Sequence, residues 1–182
     1  MELMGTGFDG LYVVQPEVFA DSRGYFFESY RHETFLKAGI SFTPVQDNES
    51  KSVKGVIRGL HYQLNPFAQA KLIRVVVGKI FDVAVDLRRK SRTYGKWYGI
   101  ELDSENKSQL FIPVGFAHGF SVISDAAVIQ YKCDNSYNPV YERGISYNDP
   151  DLDIHWVCGR AEPVISDKDK KHPCFKDADN NF

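Results

Sequence analysis

Within Lys79–Leu87 the chain alternates clearly, with Phe81, Val83, Val85 and Leu87 on one side and Asp82, Ala84 and Asp86 on the other. A period of two belongs to a strand, because successive side chains leave a sheet on opposite faces. Lys71–Gly78 and Lys96–Leu102 also read as strands, and Ala127–Cys133 sets Ala127, Ile129, Tyr131 and Cys133 against Val128, Gln130 and Lys132. Two or three more strands fit within Gln109–Ser124, one within Gly10–Phe19 where Pro16 marks an edge or a bend, and one near Ile154–Val157. Polar turns at Ser91–Gly95 and Ser104–Ser108 separate them. Only Tyr30–Ile40 reads as a helix, with Phe35 and Leu36 among helix-tolerant residues and Gly39 as its stop. Phe42–Ser52 carries the polar run VQDNES, which reads equally as a plain loop or as a cluster with a role, and the segment after Val164 reads as a polar, charged tail. Short strands at spacings of about 8–12 residues describe a sandwich or barrel. The expected chain is all-β, a rolled sheet with one or two short peripheral helices and an interior able to hold a small ligand.

Length and charge narrow the function. A chain of 182 residues buries a full core in one domain, so residues 1–182 are expected to form a single unit. The 13 Phe, 10 Tyr and 2 Trp agree with a β-rich fold. With 22 basic against 24 acidic residues the net charge is -2, which argues against nucleic acid or a membrane surface as a partner held by bulk electrostatics. No apolar run approaches the roughly 20 residues that cross a bilayer, and no leader pattern opens the chain. A soluble cytoplasmic protein is expected. Cys133, Cys158 and Cys174 are odd in number and lack CxxC spacing, which suits a reducing compartment and supplies no metal or disulfide framework.

The stretch GVIRGLHYQ, Gly55–Gln63, carries the first chemical signal. Strand parity puts Leu60, Tyr62 and Leu64 on one face and Gly59, His61 and Gln63 on the other. Taken alone, a single histidine there reads as a core residue with a satisfied hydrogen bond. In IPVGFAHGF, however, Pro113, Gly115 and His118 have a spacing that resembles the second motif of the cupin jelly-roll barrels. Metal-binding cupins carry two histidines one residue apart and then a glutamate in their first motif. Here the corresponding place reads His61, Tyr62, Gln63, and Lys71 or a neighbour fills the acidic position. Such a set is a poor cage for a divalent ion, and the lysine opposes it. The expectation is a cupin-type jelly-roll β-barrel that has lost its metal, in which His61 is free to act as a base.

A longer series of motifs sharpens this. DSRGYFFESY, VQDNESKSVKGVIRGLHYQ, QAKLIRVVVGKIFDVAVDLR, YGKWYG, LFIPVGFAHGF, QYKCDNSYNP and SDKD together resemble the dTDP-4-dehydrorhamnose 3,5-epimerase family, from about Asp21 to Asp169. The first ten residues and the tail from Lys170 add nothing to the match. The resemblance implies a cofactor-independent isomerase, a homodimer, that converts dTDP-4-dehydro-6-deoxy-D-glucose to dTDP-4-dehydro-β-L-rhamnose. Carbons 3 and 5 flank the 4-keto group, so their acidified hydrogens can be removed by a base and returned from the other face, while a cation holds the enolate oxygen.

By the same resemblance His61 is the base, Asp169 the carboxylate that fixes its tautomer, Lys71 the enolate cation and Tyr131 the proton donor. Without it, Tyr131 reads equally as core, Lys71 as the cap of a strand end, and Lys168 and Asp169 as solvated charges. Arg23, Arg58 and Lys168 match family positions that contact the ligand, and arginine's fork suits a pyrophosphate. Glu28, Gln46, Asn48 and Glu142 match polar contacts to base or sugar, His118 a place beside the reacting ring, and Phe26, Phe27 and Tyr137 apolar or stacking contacts with thymine. The resemblance also implies that the segments around Arg23 and Glu28 lend ligand contacts across a dimer interface. Strand parity turns Arg58 and His61 to opposite faces, so either Gly59 sits in a bulge or Arg58 serves another part of the ligand or a neighbouring subunit. The rivals are a carbon-3-only epimerase, a ketoisomerase and a non-catalytic sugar-binding cupin. A metal-dependent oxygenase is disfavoured by Gln63 and Lys71.

Overall fold

Alternation becomes pairing in a computed structural model that describes residues 1–160 and 162–182. One antiparallel sheet is ordered β1 (Glu2–Gly5), β2 (Tyr12–Gln15), β10 (Gln109–Ile112), β7 (Lys71–Val77), β12 (Ala126–Cys133), β5 (Gln46–Val53). The other is ordered β13 (Glu142–Gly144), β6 (Ile57–Gln63), β11 (Phe116–Val122), β8 (Lys79–Asp86), β9 (Trp97–Asp103). A hairpin of β3 (Val18–Asp21) and β4 (Gly24–Phe27) pairs with neither. Apart from the hairpins β1–β2 and β8–β9, consecutive strands from β5 onward fall in opposite sheets, as in the cupin-type jelly roll expected from the sequence.

Three apolar layers hold the sheets. Between them lie Leu11, Ile73, Val75, Ile80, Ala84, Leu102, Phe120 and Ile129. The outer face of the five-stranded sheet carries Leu60, Tyr62, Val83, Val85 and Ala117, and is roofed by Leu152, Ile154, Trp156, Phe175 and Phe182. That roof corrects the reading of a solvated tail: the segment is polar in composition but returns to cover a sheet face. Ile154–Val157 is likewise not a strand; it is part of the roof, with Trp156 Nε1 donating to Tyr147 O at 2.7 Å. The outer face of the six-stranded sheet is sealed by Val14, Leu72 and Phe111 against Phe35 and Phe42.

The helix α1 spans His32–Lys37, shorter than its expected range, and ends before Gly39 at φ +77°. The strand expected over Gly10–Phe19 is split by Pro16 into β2 and β3. Among the described residues no helix is long and apolar enough to cross a membrane.

The polar run VQDNES is the largest departure, because Gln46–Val53 is strand β5 rather than loop. Its inner side carries Gln46, Asn48, Ser50 and Ser52, and its outer side Asp47, Glu49 and Lys51 are exposed. Lys132 Nζ reaches Asp47 at 2.9 Å and Gln130 Nε2 reaches Glu49 at 2.8 Å across the pair. A strand that faces a wet cavity on one side and solvent on the other has no apolar face, so periodicity in hydrophobicity cannot reveal it.

Candidate active site

Strand β6 is where the two sheet faces and the chemistry meet. Its register against β11 slips: His61 pairs His118 and Arg58 pairs Phe120, so Gly59 and Leu60 together oppose Gly119. This is a bulge, and it resolves the parity conflict. The extra residue lets Arg58 and His61 face the same interior while Leu60 and Tyr62 face the outer layer. Gly59 adopts φ +125°, and a Cβ there would lie 2.5 Å from Gly119 Cα. Only glycine fits.

The Gly59 N–H, freed from the ladder, donates to Asp169 Oδ2 at 3.2 Å. The other carboxylate oxygen, Oδ1, lies 2.9 Å from His61 Nε2. Asp169 opens a 3₁₀ turn, Asp169–Lys171, and its own N–H donates to Ser166 Oγ at 3.1 Å. Burial raises the carboxyl's pKa, but the His61 hydrogen bond and charge, the Gly59 N–H and Ser166 outweigh it and hold it down at about 2. The pair therefore keeps Asp169 ionised and places the imidazole N–H on Nε2, leaving Nδ1 as the basic nitrogen.

Two cavities meet at His61, Lys71 and Tyr131. The first, about 220 Å³, is walled also by Gln46, Asn48, Tyr137 and Glu142. The second, about 190 Å³, is walled also by Ser50, Arg58, His118 and Phe120. Burial pushes the pKa of Lys71 down against the upward pull of Cys133, Glu142 and Asp82, and its ammonium makes no ion pair with any described residue. For Tyr131, burial pushes the phenol up, so it stays protonated. Glu142 accepts from Lys168 Nζ at 2.6 Å and from Tyr137 Oη at 2.7 Å. Gln46 Nε2 donates to Asn48 Oδ1 at 2.9 Å, and Arg58 Nε to Ser52 Oγ at 2.9 Å.

Ten of the twelve expected site residues are thus brought together, Asp169 and Lys168 through their partners. Arg23 and Glu28 are not. Arg23 is 88% exposed at the hairpin turn and pairs with Asp21 at 2.6 Å, while Glu28 pairs with Arg31 at 2.9 Å. Phe26 is exposed, and Phe27 lies under Arg74 at 5.8 Å. Gln63, the residue at the cupin ligand position, is spent on structure: it donates to Phe67 O and Ser136 O and accepts from Asn138 N at 2.6 Å.

Two residues escaped sequence reasoning. Asp82, fully buried, holds His118 Nε2 at 2.7 Å, a second His–Asp pair beside the first. Its signal was present, since aspartates at alternate positions of a strand are too costly to bury without a partner. His172, just beyond the 3₁₀ turn, packs edge-on to His61 with ring centroids 5.4 Å apart. Nothing in its local sequence announces that.

The comparisons with known proteins agree with this geometry. The family model described as dTDP-4-dehydrorhamnose 3,5-epimerase matches residues 5–177, so the match includes the early strands and most of the tail that the motif series left out. A protein of that name from Shigella flexneri is 51% identical over 180 residues, covering 98% of both chains. A crystal structure of the enzyme from Elizabethkingia anophelis superposes with a TM-score of 0.93 at 49% identity, covering 97% of each chain. Another, a 3,5-epimerase from Legionella pneumophila in complex with dTDP-4-keto-L-rhamnose, gives 0.93 at 43%, covering 98% of this chain and 94% of the other. Barrel, His–Asp pair and end-to-end likeness converge, and the chain belongs to the dTDP-4-dehydrorhamnose 3,5-epimerase family.

Proposed function

We propose that residues 1–182 act as one cupin-type epimerase domain, inverting carbons 3 and 5 of dTDP-4-dehydro-6-deoxy-D-glucose to give dTDP-4-dehydro-β-L-rhamnose. The observation that carries this is the His61–Asp169 pair, 2.9 Å apart, at the meeting point of two cavities that also share Lys71 and Tyr131. His61 Nδ1 takes the proton from the carbon, the C–H electron pair moves into a C–C double bond, and the carbonyl π pair moves onto the C4 oxygen. Lys71 meets that oxyanion with a fixed positive charge. Tyr131 O–H returns a proton to the opposite face, and solvent then reprotonates the phenolate and discharges His61. The sugar needs room beside His61 and His118, while Gln46, Asn48 and Glu142 offer polar contacts and Arg58 and Lys168 offer cations for the diphosphate.

In D2O, with neither metal nor nicotinamide added, the protein is expected to incorporate deuterium at both carbons. Label at carbon 3 alone would assign the narrower epimerase, and no label would end the enzyme reading. Tyr131→Phe should keep part of the exchange yet lose most of the completed inversion, about 10²-fold, because the base still works but the opposite-face donor is gone.

A homodimer completes the ligand site in this reading. Support comes from the β3–β4 hairpin, which pairs with neither main sheet and leaves Phe19, Tyr25 and Phe26 55–67% exposed around Arg23. Strand β5 also has no described neighbour on its outer edge. Sedimentation equilibrium should give twice the chain mass of 20.7 kDa. A 20.7 kDa species at micromolar concentration would remove the dimer, and with it Arg23 and Glu28 from the site.

A further inference from the structure

His172 has no part in the chemistry above, yet it is placed with care. A Cβ at Gly144 would lie 2.2–2.5 Å from three atoms of its ring, so the bare glycine is what lets the imidazole settle on β13. Gly144 is in turn the register partner of His61. His172 Nδ1 is buried and has no hydrogen-bond partner among the described residues. One ligand atom each from His61, Asp169 and His172 lies within 4.8 Å of the others.

We propose that His61, Asp169 and His172 form a chelating site for a zinc-class divalent ion, and that filling it switches the base off. Two imidazoles and one carboxylate suit Zn2+ or Co2+, leaving a fourth position for water. In a tetrahedral site with bonds near 2.1 Å the ligand atoms stand about 3.4 Å apart, so a small swing of one ring closes the set. His61 Nε2 and Asp169 Oδ1 stand 2.9 Å apart across a shared proton and need only open slightly once that proton leaves, and the Gly59 N–H on Oδ2 holds the carboxylate as an outer hydrogen bond does in built metal sites. This site shares His61 with the cupin first motif but not Gln63, which is committed to the loops.

The switch is a change of tautomer. The ion forms a bond to His61 Nε2, the Nε2–H bond to Asp169 is lost, and that proton moves to Nδ1. No proton is released overall. His61 remains neutral but its free lone pair, the one that takes the sugar's proton, is gone. Binding rests on the three side chains alone, whereas inhibition also rests on His61 being the base, so the two are read separately.

Calorimetric titration of chelator-treated protein with Zn2+ should show one site per chain, and Co2+ should give the visible bands of a tetrahedral ion. His172→Ala and His172→Gln should each weaken binding at least about tenfold while leaving basal deuterium exchange intact. Saturating Zn2+ should stop exchange in the parent protein, and a chelator should restore it. Absence of stoichiometric binding to the parent, or equal binding to both His172 variants, overturns the site. Binding that leaves exchange untouched keeps the metal site and overturns its switching of the base.

Discussion

Replacing His61 with alanine is expected to abolish deuterium exchange at carbons 3 and 5 together, by about 10³-fold or more, because one imidazole serves both positions. The fold should survive. β6 is held by β11 on one side and β13 on the other through its backbone, and its outer face is fixed by Leu60 and Tyr62 in the apolar layer. His61→Asn is the sharper variant, since its amide can still reach Asp169 but has no basic nitrogen. His61→Asn should melt close to the parent while exchange is lost, and His61→Ala, which takes a partner from the buried Asp169 carboxylate, should melt lower yet still fold. Equal exchange in either would remove His61 as the base, and loss at one carbon only would require a second base.

Lys71→Met should lower turnover by about 10²–10³-fold, the usual consequence of removing one group that meets an oxyanion. Stability should move the other way. Burial lowers the ammonium's pKa in the folded protein, which means folding disfavours its charged form. Below the folded pKa that charge destabilises the native state, and the penalty fades as pH rises toward the unfolded value of about 10.4. A methionine of similar length removes the penalty at neutral pH, so the variant should melt higher than the parent. A structural lysine would lose stability on replacement, and that result, or unchanged turnover, would sink the role given to Lys71.

Much of the barrel can be read from the sequence, because β8 and β12 alternate along their length and β7 is a short run rich in β-branched residues. β5 is hidden because it has no apolar face, and the roof over the five-stranded sheet because its apolar residues, Trp156, Phe175 and Phe182 among them, are spread through polar loop. The site divides in the same way. His61, Lys71 and Tyr131 lie on strands and their positions follow from parity and motif. Asp169 is 108 residues from His61 in sequence, and only the family likeness points to the pair. His172 and Asp82 depend on packing that no local pattern encodes. Arg23 and Glu28 match the family by motif, yet in a single chain they sit apart from the cavities.

The bulge in β6 also fixes a rule about length. Alternation is a parity, and one added residue reverses it for everything upstream. Deleting Gly59 or Leu60 would leave the downstream half of the strand clamped by β11 and β13 while turning Arg58 to the outside and Ile57 into the cavity. A gap at these two positions in an alignment of related chains therefore signals an exchange of lumen and exterior along the start of the strand, not a harmless change in a loop. Chains that share the base but differ in length here should differ in what grips the far end of the ligand.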